Sequence, residues 1–156
     1  MLTAMGVRFM VGSEASGGGF SLVEHPIPPR ALGAPLHRHH REDEYSFVLE
    51  GRIGVVLGGQ VSYAGPGDLI SKPRGEWHTF WNAGDEPARI LEIISPAGFE
   101  GYFREMVKLP KDATAADRSV IAKRYDLEVD VASIPALVRE HRLQFGTRSS
   151  TPEDRP

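Results

Sequence analysis

The stretch PLHRHHREDEYSFVLEG, residues 35–51, sets three histidines and four carboxylates between a proline and a glycine. Side chains alternate across a strand, so on a strand over Leu36–His39 the imidazoles of His37 and His39 share one face. His40 is out of phase and points the other way, as a bystander. The polar run HREDE can turn the chain, and a second strand over Tyr45–Leu49 then carries Glu44 back toward the same cavity. On that strand Ser46 and Val48 share the face of Glu44 and are expected to line a substrate pocket. Tyr45, Phe47 and Leu49 face the opposite side. Glu42 and Asp43 read as solvated turn carboxylates.

Further along, GDLISKPRGEWHTFWN, residues 67–82, places His78 at the start of another strand. Its face is shared by Phe80, a third pocket residue, and by Asn82. Trp77, Thr79 and Trp81 point outward, the two tryptophans into packing or an interface. Neutral imidazole and carboxylate suit Fe, Mn, Ni, Co, Cu or Zn, and four protein ligands leave open positions on a six-coordinate ion. His37, His39, Glu44 and His78 are therefore the expected ligands of one divalent transition metal. His25, beside Pro26, and His141, on a polar helix, read as surface residues.

Working outward, Gly6 to Gly98 shows short apolar alternations broken by Gly and Pro, the pattern of many short strands. They are expected near Val7–Val11, Phe20–Glu24, Leu36–His39, Tyr45–Leu49, Ile53–Leu57, Gln60–Tyr63, Asp68–Lys72, His78–Asn82 and Arg89–Ile94. Gly58-Gly59 supplies a tight hairpin. Ser16-Gly17-Gly18-Gly19 is followed by a strand and not by a helix, so it reads as a flexible turn and not as a phosphate loop. After Pro96, Phe99, Tyr102, Phe103, Met106 and Val107 fall at helical spacing. This stripe is expected to pack on the core, with a lid over the barrel mouth as the lesser reading. Further helices are expected over Ala113–Tyr125 and after Ser133, and the last residues, 147–156, as a frayed tail.

The length of 156 residues fits one domain. Its core is expected over residues 1–98, with helices over 99–146 packed on it. Residues 1–98 carry 8 Lys/Arg against 11 Asp/Glu and residues 99–156 carry 10 against 10, so no basic nucleic-acid surface is expected. With no cysteine, disulfides and thiolate zinc are excluded. No run is long enough to span a membrane, and the N-terminal apolar stretch is interrupted by Arg8, so a cytoplasmic protein is expected.

His37, His39, Glu44 and Gly51 resemble the first motif of the cupins, Gly-x5-His-x-His-x(3,4)-Glu-x6-Gly, with Ala31 where the leading glycine is expected. Gly67, Pro73, Gly75, His78 and Asn82 match every fixed position of the second, Gly-x5-Pro-x-Gly-x2-His-x3-Asn. The Gly/Pro positions of the second motif alone give about 0.03 chance matches in a chain this long. The resemblance implies an all-β jelly-roll barrel of two antiparallel sheets, here with C-terminal α-helices, and a metal inside one mouth. The tail from GYFREM resembles small cupins of the quercetin-dioxygenase-like group. Implied with it is a metal-dependent dioxygenase for a small aromatic or enolic substrate, with Glu44 also a general base. The alternatives are a redox-silent isomerase, lyase or cyclase and a binding protein without turnover. A homodimer is expected, because outward residues such as Phe47 and Leu49 and a strand edge of the barrel need cover.

Overall fold

The computed structural model describes residues 5–146. Ten strands form two five-stranded antiparallel sheets. β1 (Arg8–Val11), β2 (Ser21–Ile27), β9 (Ala88–Ser95), β4 (Asp43–Glu50) and β7 (Leu69–Lys72) make the first, in that spatial order. β10 (Leu127–Asp130), β3 (Leu36–His39), β8 (His78–Asn82), β5 (Ile53–Leu57) and β6 (Gln60–Ala64) make the second. The helices are α1 (Glu100–Lys108), α2 (Ala115–Arg124) and α3 (Ile134–His141). This is the jelly-roll expected, and the tail at 147–156 lies outside the described residues.

Alternation does most of the positioning. Along β4, Glu44, Ser46 and Val48 are buried while Asp43, Tyr45, Phe47 and Leu49 are half-buried. β8 is buried on both faces, because α3 and the segment after it cover its outer side. Outward-pointing Trp81 packs there with Leu32, Leu137 and Leu143 and stacks on His141, ring centres 4.1 Å apart. Gly54 makes this possible, since a Cβ there would come within 2.1 Å of the Trp81 ring. Gly58 and Gly59 both take positive φ, the geometry a two-residue hairpin requires between Leu57 and Gln60.

Two differences from the sequence reading concern the second half. The stripe on α1 buries Phe99, Phe103 and Met106 but leaves Val107 58% exposed. A Thr114–Asp117 capping box starts α2, and the chain then returns as β10, which alternation did not reveal. β10 pairs along the whole of β3, with Leu127 opposite His39 and Val129 opposite His37. One barrel edge is thereby covered from within the chain. The core beneath α1 joins Val23 and Ile94 of the barrel to Phe99, Phe103, Ala122 and Leu127. Among the described residues, no helix is long and apolar enough to cross a membrane.

Candidate metal centre and its proton network

β3 and β8 run antiparallel with His37 directly opposite His78, and β4 of the other sheet brings Glu44 across. His37, His39, Glu44 and His78 are all buried, and one ligand atom from each lies within 4.8 Å of every other. His78 Nε2 is 3.1 Å from Glu44 Oε2, and His39 Nε2 is 3.3 Å from Glu44 Oε1. The outer nitrogens are tethered. His37 Nδ1 donates to the Pro35 carbonyl at 2.8 Å and His78 Nδ1 to the Glu76 carbonyl at 3.1 Å. Those bonds place the proton on Nδ1 in the neutral ring and leave Nε2 with a bare lone pair.

His39 has no hydrogen-bond partner at either ring nitrogen although it is sealed from solvent. Buried polar atoms are normally satisfied. Three imidazoles and one carboxylate converge, and His39 is answered only by carboxylate oxygens at 3.3 and 3.5 Å, a set that a divalent transition ion would complete. The donor set thus fits the metal that the motifs imply.

Charge follows the same layout. Burial disfavours a charged His39, but Glu44 and Glu42 outweigh it and raise its pKa to about 9. His37 is held well below its usual range by burial and by the neighbouring rings of His78 and His39. Glu44 lies well below the usual carboxylate range; burial opposes this, and His39 and Lys72 prevail.

Two residues depart from the sequence reading. Glu42 is not a solvated turn carboxylate; it is buried, 3.5 Å from His39 Nδ1, because the HREDE turn folds inward at that position. His25 is not a surface residue. It sits on β2 with no exposure, its Nδ1 2.9 Å from the Gly6 carbonyl and its Nε2 3.1 Å from Glu92 Oε2. Glu92, on β9, also accepts from Ser46 at 3.0 Å and bonds Lys72, whose ammonium stands 3.2 Å from Glu44. A buried chain therefore runs His25–Glu92–Lys72–Glu44. Burial and Glu44 push the Glu92 pKa up, but Lys72 and His25 outweigh them and hold it low. Lys72 is held charged, since Glu44 and Glu92 together exceed the cost of burial. Sequence reasoning missed Lys72 and Glu92; a charged residue at an inward position of β7 and of β9 was the available signal.

A cavity of about 80 Å³ opens beside this cluster. His25, His37, His39, Glu44 and Glu92 form its polar wall, and Phe80, Phe99, Phe103 and Met106 its apolar one. Phe80 lines that wall. Ser46 and Val48 are not part of it, because the Ser46 hydroxyl is spent on Glu92 and Val48 packs with Ile53, Val55 and Ile90. Asn82 is structural, its amide donating to the carbonyls of Ile27, Pro28 and Glu86. His40 points away as expected, to Glu128 at 2.9 Å. Phe99, at the start of α1, also meets His39 edge to face, centres 4.4 Å apart.

The barrel and its metal-ligand constellation define a cupin. The Cupin domain family model matches residues 24–94, and the chain belongs to that family. The polyketide cyclase RemF from Streptomyces resistomycificus is 31% identical, with a TM-score of 0.52 over 60% of this chain and 67% of that one. A cupin-superfamily sugar phosphate isomerase from Silicibacter pomeroyi is 28% identical, with a TM-score of 0.50 over 58% and 59%. KdgF from Halomonas sp. is 20% identical, with a TM-score of 0.56 over 63% and 84%, a likeness of fold. No curated protein matches the sequence.

Proposed function

We propose that this cupin is a metal-dependent enzyme that moves protons on a small carbonyl or enolic substrate, as an isomerase, cyclase or lyase. The observation that carries this reading is the buried chain His25–Glu92–Lys72–Glu44, three of whose members, His25, Glu92 and the ligand Glu44, face one cavity. His37, His39, Glu44 and His78 would hold the ion, which when bound supplies Lewis acidity toward a substrate oxygen. The Nδ1 tethers of His37 and His78 fix both rings in the binding tautomer. His25 and Glu92 take the proton from a carbon beside the carbonyl and return it at another atom, so that no oxidant is consumed. Glu44 is the second proton acceptor, kept ionised by Lys72. The apolar wall of Phe80, Phe99 and Phe103 excludes bulk water. Two of the similar structures, a cyclase and an isomerase, support the same class of chemistry.

A dioxygenase is the second reading, favoured by an aromatic wall beside a four-ligand set that leaves positions open for substrate and oxygen. An oxygen electrode and product mass spectra over a panel of enols, diketones and flavonols, with each candidate metal, separate the two. Turnover that continues under strict anaerobiosis supports the proton-transfer enzyme, and turnover that stops without oxygen replaces it with the dioxygenase. Saturable binding with no product under either condition makes the protein a binding module.

The same reading includes a homodimer, since Val61 and Tyr63 on β6 and Leu69 on β7 stay about half exposed at the outer strands of the two sheets. Light scattering that returns only the 17.1 kDa of one chain at micromolar concentration overturns it.

A further inference from the structure

The cavity beside the ligand set is too small for most organic substrates: about 80 Å³, where pockets that bury a drug-sized molecule measure roughly 300–1,000 Å³. A second chamber of about 700 Å³ adjoins it and shares five wall residues, Pro35, Tyr102, Met106, Leu127 and Val129. The chamber is lined by α1, α2, β10 and the start of α3 and is partly open to solvent. Its remaining apolar wall comes from Trp77, Ala122, Val131, Ile134 and Phe145.

Its charge is one-sided. Glu128 is the single carboxylate on the wall, and it is occupied by Arg38 and His40. Arg118 and Lys123 line it from α2, and among the described residues neither has a carboxylate within ion-pair distance. One nitrogen of the Arg118 guanidinium donates to the Ala113 carbonyl at 3.0 Å, which fixes the head at the rim and leaves its other donors free of any described side-chain bond. Asp117, next in sequence, is engaged in the Thr114 cap. The positive field of Arg118 reaches Tyr102, one of the residues shared with the inner cavity.

We propose that the outer chamber is the recognition site for the substrate's non-reacting part, and that the substrate is an apolar organic acid. Its apolar body lies against Trp77, Met106 and Phe145 and its carboxylate meets Arg118 and Lys123, while the reacting end passes Tyr102 and Met106 to the ligand set. The inference rests on the inner cluster being the reaction site, but the chamber's own binding does not require a metal. The five wall residues shared with the inner cavity favour this occupant over a partner protein, because they place the chamber directly beside the ligand set.

The test uses the full chain and two probes, the aromatic acid anilinonaphthalene sulfonate, followed by fluorescence, and dodecanoate as its competitor. Saturable binding at one site per chain is expected, displaced by dodecanoate and not by dodecanol. Arg118→Gln should weaken it about ten-fold, the scale of one charge-assisted hydrogen bond, and Arg118→Lys should restore most of the loss. Ser119→Trp, a change at an exposed chamber residue, should abolish it by filling the space. His37→Ala should leave probe binding intact while removing the metal, so failure of the metal reading and failure of the chamber reading give different results. Equal affinity for dodecanol and dodecanoate, or no effect of Arg118→Gln, overturns the assignment of an acid. Absence of saturable binding, or a change of oligomeric state in Ser119→Trp, overturns the chamber as a substrate site.

Discussion

Ile90 and Glu92 stand two residues apart on the inward face of β9, both almost sealed from solvent, and belong to opposite halves of the barrel interior. Ile90 joins Ile27, Val48, Ile53 and Val55 in a plug of side chains with nothing to satisfy but shape. Glu92 joins Lys72, His25 and Glu44, where every atom has a charge or a hydrogen bond to answer. Burial rewards the first half, at about 25 cal/mol per Å² of apolar surface. It penalises the second, because buried ions repay their lost hydration only while each keeps its partner. The same strands therefore carry stability at one end and reactivity at the other.

Breaking the polar half should have the largest effect. Lys72→Met leaves Glu92 and Glu44 without their cation and is expected to cost about 3–5 kcal/mol in urea unfolding. Lys72→Met combined with Glu92→Leu should recover much of that loss, since it removes both charges together. Recovery no greater than with an unrelated second change would show that the pair is not coupled. In the apolar half, Ile90→Ala should cost about 2–5 kcal/mol through the cavity it leaves, with metal content unchanged. Metal lost along with stability would mean that the halves are not separable.

Smaller effects sharpen the boundary around the ligand set. His39→Ala should lower metal affinity more than about 100-fold, beyond the 10–100-fold typical of a residue that only supports a ligand. His40→Ala should leave it unaltered by metal analysis. Glu42→Gln should fall within about 10–100-fold, because Glu42 touches the rear nitrogen of His39 and not the ligand atom. The pH dependence has a definite sign. Glu92 has a folded pKa below its unfolded value, so its contribution is complete above about pH 4.5 and is lost as pH falls through the depressed folded value. Acid unfolding of Glu92→Gln should accordingly show a shallower pH dependence in that window than the natural chain, by circular dichroism.

The cluster of His37, His39, Glu44 and His78 was legible in the sequence because its logic is local: two histidines two apart on one strand, a carboxylate after one turn, and glycines and a proline before His78. The same locality made β4 readable, since each inward residue alternates with an outward one. It failed at Glu42, which lies one residue before β4 and reads as turn, yet keeps the parity of Glu44 and is buried with it. It failed again at Ser46 and Val48, which parity turned inward, without saying whether inward meant cavity or plug. His25 looked like a surface residue beside a proline because its partner, Glu92, is 67 residues away.

The sequence by itself determined most of the barrel strands and the two histidine-bearing motifs, whose resemblance to the cupins implied the jelly-roll, because periodicity and motif spacing act within a few residues and need no partner. Only the tertiary structure decided that Lys72 and Glu92 join Glu44 to His25, that β10 covers the edge of β3, and that α1 and α2 line a second chamber beside the first. These depend on which distant segments meet once the barrel closes, and pairing over such distances leaves no periodic trace in the chain.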